Sequence, residues 1–165
     1  MSDQLSLQCK SGNKRPSKTE EMRRLAAKQI VADMVKYGVV ELADAEASVN
    51  DIVKVTRLET DDGYKIARHL EQSCCWDCDM QIAEYCDQFR TILDEIYDTA
   101  EKKWDSENPA TPDFAEGAQV MWRGEVATIH GTVNHRPQCY KVRQGEMGSD
   151  TSYYVVPFED IRAPL

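Results

Sequence analysis

The spacing of apolar side chains changes character once along the chain. From Met22 to Ile96 they return every third or fourth position, the period of a helix packed on one side, and from Gly117 onward they alternate as in half-buried strands. Met22, Leu25, Ala26, Ile30, Met34 and Tyr37 predict a first helix, opened by the capping-box spacing Ser17-Lys18-Thr19-Glu20 and ended by Gly38. VVELADAEASVNDIVKVTRLE puts Leu42, Ala45, Val49, Ile52 and Val53 on one face of a second, with Ser48 and Asn50 able to break it in two. Asp61-Asp62-Gly63 reads as a turn before a short helix carrying Tyr64, Ile66, Ala67 and Leu70. The longest helix is expected from about Asp77 to Trp104, with Cys78, Ile82, Tyr85, Cys86, Phe89, Leu93 and Ile96 on one stripe.

DSENPATPD then stops the helical pattern, and strands are expected at Gly117–Trp122, Glu125–Val133, Cys139–Arg143 and Tyr153–Val156. Arg123-Gly124-Glu125 makes a tight turn, and 134–138 and 145–152 make longer loops. The fold class is therefore α+β: a flexible tail over 1–16, an N-terminal α-helical bundle over 17–104, a linker over 105–115 and a small antiparallel β domain over 116–165.

The strand half carries a resemblance. EGAQVMWRGEVATIHGTV, CYKVR and SYYVVPFEDIR present Gly117 and Val120, Gly131 and Val133, Tyr140 and Val142, Val155 and Val156, then Glu159, Asp160 and Ile161. This order resembles the SH3-like small β-barrels of the KOW and Tudor type, over about the last third of the chain. The resemblance implies a closed small barrel and speaks for fold more than for activity. Members of that group bind nucleic acid, hold modified lysine or arginine in an aromatic cage, or pack against proteins. The first use implies a patch of Trp122, Arg123, Tyr140, Lys141 and Arg143; a cage would draw on Trp122, Tyr140, Tyr153, Tyr154 and Phe158.

Charge narrows the partners. The net charge of −9 is concentrated between Thr19 and Ser106, where 20 acidic side chains face 11 basic ones. Such a surface repels phosphate backbones and suits a protein, or protein–nucleic-acid complex, with a basic surface. Asp87, Asp94, Glu95, Asp98 and Glu101 on the long helix are the candidate partner-binding face, and a solvated face is the plainer account of each. Direct nucleic-acid binding would fall to the β domain.

SCCWDC, residues 73–78, holds three of the six cysteines. His69, Cys75, Cys78 and Cys86 could be drawn together as a structural zinc site, but a single CxxC among Glu71, Asp77 and Asp79 is poor zinc spacing. A redox Cys75–Cys78 pair lacks a βαβ setting, and acidic neighbours disfavour the thiolate. Buried thiols at a corner between helices explain the motif without metal, so no cofactor is expected. No apolar run spans a bilayer and no secretory signal precedes the pattern, which predicts a cytoplasmic protein with reduced thiols and no membrane partner.

No P-loop, Gly-x-Ser-x-Gly or metal triad occurs, and His130 and His135 lack partner spacing, so catalysis is not expected. In style the chain resembles accessory proteins of phages and plasmids. That implies an inhibitor of a host nucleic-acid-handling complex such as CRISPR, an anti-CRISPR, working through acidic helix faces. The alternatives are an adaptor whose barrel binds nucleic acid or a protein peptide, and a zinc-stabilised scaffold.

Overall fold

The computed structural model describes residues 14–56, 62–144 and 153–164. Most of the expected tail, Asp61 of the expected turn and the expected loop at 145–152 lie outside the described residues. The chain is mixed α+β, with four helices in its N-terminal part and a four-stranded antiparallel sheet at its C-terminal end. It divides into two compact units, Arg15–Ala100 and one built on Glu101–Leu165. Among the described residues, no helix is long and apolar enough to cross a membrane.

In the helical unit, α1 (Glu20–Lys36) starts two residues later than the capping box predicts: Thr19, not Ser17, is the N-cap, and its hydroxyl accepts from the Met22 amide. The helix ends in a Schellman arrangement. Gly38 takes φ 73°, its amide donates to the Val35 carbonyl, and the Val39 amide donates to that of Met34. A 3-10 turn, Leu42–Asp44, leads into α2 (Ala45–Val55). α2 is continuous through Ser48 and Asn50, so the expected break falls before the helix; Ser48 is simply buried. Arg23 reaches across from α1 to donate to the carbonyls of Val53 and Thr56, satisfying acceptors that the end of α2 leaves open.

Asp62-Gly63 is a helix start rather than a free turn. Asp62 caps α3 (Gly63–Cys74) by accepting from the Lys65 amide. Gly63 lies against the main chain of α4 (Met80–Glu107), where the Asp87 carboxylate accepts its amide at 3.1 Å. α4 begins three residues later than expected, with Asp79 accepting from the Ile82 amide. Ala26, Ile30, Met34, Val49, Ile52, Ile66, Leu70, Cys86, Phe89 and Leu93 form one apolar core. Leu25, Tyr37, Leu42 and Tyr64, expected on core faces, are exposed.

In the other unit α4 runs on to Glu107 and Asn108 caps it, so the expected linker begins with helix. The strands β1 (Gln119–Trp122), β2 (Glu125–Thr132), β3 (Cys139–Gln144) and β4 (Tyr154–Pro157) form an antiparallel meander in chain order. A bulge at Ile129/Thr132 bends β2 where Gly131 takes φ 104°. After β4 comes a 3-10 turn, Phe158–Asp160, and then Arg162 bridges to Met121 of β1 through two main-chain hydrogen bonds. Val120, Trp122, Ala127, Ile129, Tyr140, Val142, Val156 and Ile161 fill the core of this unit. Gln138 fastens the end of α4 to it: its side-chain amide donates to Asp105 Oδ1 and to the Asn108 carbonyl.

Candidate binding cleft beside Trp122

The β1–β2 connection has room for only two residues, since Trp122 pairs with Glu125. Arg123 and Gly124 both take positive φ, 53° and 82°, the primed turn whose twist matches a tight hairpin. Glycine adopts this freely and arginine does so at a cost of about 1–2 kcal/mol. Something must hold Arg123 there, and its guanidinium lies over the Trp122 ring, 4.8 Å from the centroid. The Trp122 ring also meets Tyr154, with centroids 4.9 Å apart and the rings tilted. Arg123 and Tyr154 are thus both gathered against one indole.

Beside Trp122 lies an open cleft of about 380 Å³. Val155, Val156 and Pro157 of β4, Glu159 and Asp160 of the 3-10 turn, and Arg123 and Arg162 line it with Trp122. Two cations and two carboxylates therefore share a cleft with an indole wall. Arg162 and the edge of β4 are cleft residues that sequence reasoning missed. No local motif marks them, because Arg162 is placed by its bridge to Met121, far away in the chain.

The expected barrel patch separates into parts. Tyr140 is a core residue and no ligand contact: it is 1% exposed, its hydroxyl accepts the Phe114 amide, and Phe158 stacks on it at 4.3 Å. Lys141 and Arg143 alternate with inward-facing Tyr140 and Val142 and so lie on the opposite face of β3. The five aromatics suggested for a cage form separate pairs: Trp122 with Tyr154, Tyr140 with Phe158, and Tyr153 with His130.

The acidic face on α4 is also divided. Glu101 is 3% exposed, which removes it from any exposed surface. Asp94 is held by Lys18 at 2.7 Å, and Asp87 accepts the Gly63 amide. Glu95 and Asp98 are exposed.

SCCWDC forms a corner, but its thiols are not the buried ones expected: Cys75 is exposed, and Cys74 and Cys78 are half-buried. Cys75 ends α3 in the left-handed region at φ 58°, and the Trp76 indole donates to Asp51 of α2 at 2.9 Å. Cys74, Trp76 and Cys78 pack against the helical core, and Cys86 is inside it. Burial, then the carboxylates of Glu71, Asp77 and Asp79, push the Cys78 thiol up to about 11; burial, then Cys78, pushes Cys86 up to about 12. Cys74 is raised by burial and by its hydrogen bond to Asp51. Thiols held in the neutral form are poor nucleophiles. The structure does not bring His69, Cys75, Cys78 and Cys86 together as a ligand set: among the described residues, no group of three or more His, Cys, Asp or Glu side chains could hold a metal ion. The five cysteines among those residues are all unbridged.

No protein-family model matches the chain, and neither a curated protein nor a solved structure matches it.

Proposed function

We propose that this is a non-catalytic binding protein whose C-terminal unit is an SH3-like small barrel that takes a segment of a partner protein in the cleft beside Trp122. The observation that carries the reading is Arg123, kept in a conformation unfavourable for arginine and laid on Trp122 at the cleft mouth. Unfavourable backbone geometry retained at a cleft is a pointer to function. The SH3-like assignment draws on the meander, the bulge at Gly131, the 3-10 turn and the Met121–Arg162 bridge, in the order the resemblance implies.

An inhibitor that presents the acidic face of α4 to a basic surface draws less support, since three of its five carboxylates are buried or engaged. A nucleic-acid reading is favoured by one observation: Lys141 and Arg143 share the outward side of β3, near the Tyr153–His130 ring pair. Affinity capture of the full-length protein's partners from nuclease-treated lysate, at two salt concentrations, separates the readings. The double variant Arg123→Glu/Asp160→Lys should lose a protein partner that Lys141→Ala/Arg143→Ala retains. The reverse pattern, with binding lost at high salt or after nuclease, would move function to the outward face.

A further inference from the structure

Resting on the reading that the cleft beside Trp122 receives a partner, we propose that the partner enters as an extended peptide which adds a strand to the open edge of β4. β4 is the last strand of the sheet and, among the described residues, has a pairing neighbour on one side only. The direction of its main-chain groups follows from the ladder. The Phe158 amide donates to the Gln138 carbonyl at 2.9 Å, and Val156 pairs with Tyr140. Hydrogen-bonded positions in an antiparallel pair recur at every second residue. Tyr154 and Val156 therefore turn their amides and carbonyls toward β3, while Tyr153, Val155 and Pro157 turn theirs outward.

That outward edge borders the cleft, because Val155 and Pro157 line it. The missing N–H of Pro157 falls on the same side, so proline sits in β4 at no cost to the ladder with β3. Val155 is 41% exposed and Tyr154 51%. An edge of unpaired donors and acceptors is complemented by another extended main chain. Nucleic acid has no such complement, and the cleft gives it no net positive charge, since Arg123 and Arg162 are offset by Glu159 and Asp160. A peptide strand places alternate side chains on opposite sides, so one row meets the Trp122 wall and the other meets water. The ligand is thus an extended segment with an apolar residue facing Trp122, flanked by charged residues of both signs.

The test uses the full-length protein and a displayed library of random linear peptides. Enriched peptides are resynthesised with single backbone N-methyl groups and titrated against the parent, Val155→Pro, Val155→Thr and Arg123→Glu/Asp160→Lys. Strand addition requires that N-methylation weakens binding at alternate residues only, by about tenfold or more. Val155→Pro should lose a similar factor and Val155→Thr should not. If Val155→Pro fails to fold, the N-methyl series still decides. Binding that is lost in Arg123→Glu/Asp160→Lys but indifferent to N-methylation would overturn strand addition and leave the cleft reading standing. Peptides indifferent to that double variant would overturn both, as would failure to enrich any peptide. Self-association abolished by Val155→Pro would assign the edge to a second copy of the chain and overturn the peptide.

Discussion

Replacing Gly63 with alanine sets two effects of opposite sign against each other. Gly63 lies in α3 without a positive φ, so on open ground an added methyl would favour the helix by up to about 1 kcal/mol. The ground is not open. A Cβ at this position would stand 2.7 Å from Cα of Asp87, and closer still to the Ala83 carbonyl oxygen and the Asp87 amide nitrogen. Carbon atoms prefer about 3.5–4.0 Å, and these neighbours are main chain inside α4, which cannot rotate aside as a side chain would. Relieving the overlap costs roughly 3 kcal/mol. It also draws the Gly63 amide off Asp87, about 1 kcal/mol more. The net is a loss of about 3 kcal/mol, or roughly 6–12 °C in Tm for a chain of this size if it melts in one step. Thermal unfolding followed by circular dichroism measures it. Gly38→Ala is the control: its φ is 73° but nothing lies near its absent Cβ, so only the backbone cost of about 1–2 kcal/mol applies. A Gly63→Ala protein as stable as the parent, or no worse than Gly38→Ala, would refute the argument that close packing fixes this glycine.

Cys75 ends α3 in the left-handed region, so Cys75→Gly should leave stability unchanged or raise it by up to about 1 kcal/mol, a small upward shift in denaturant midpoint. Gln138→Ala removes the bonds to Asp105 and Asn108; it should cost about 1–2 kcal/mol and speed hydrogen exchange at the Asn108 amide. The Cys86 thiol is raised from 9.0 to about 12 in the fold, so the folded state holds its proton where the unfolded chain has lost it. Its contribution to stability is therefore complete below pH 9.0 and declines as pH rises toward about 12. Denaturant midpoints measured across that window should fall less steeply for Cys86→Ala than for the parent.

The change from helical to strand rhythm was legible because it is local: Ile30, Met34, Phe89 and Leu93 are spaced for one face, and all reach the core. Positions of strands and of the Arg123-Gly124 turn followed from the same kind of signal. What a local pattern does not carry is the identity of the neighbour. Asp62-Gly63 reads as a turn whether or not a helix crosses it, and only the passage of α4 makes the glycine obligatory. Glu101 looks like Asp98 on a helical wheel, yet one is buried and the other exposed. The cleft was least legible, since Trp122, Pro157 and Arg162 meet through sheet pairing and leave no mark in spacing.

The corner residue Trp76 has an optical consequence. It is the single tryptophan between Arg15 and Ala100, fixed by its bond to Asp51, whereas Trp104 and Trp122 both belong to the other unit. With excitation selective for tryptophan, a protein with phenylalanine at positions 104 and 122 would emit from the helical unit alone, and one with phenylalanine at 76 from the sheet unit alone. The chain thus carries its own pair of dyes, and its intrinsic fluorescence can report which half loosens first without any attached label.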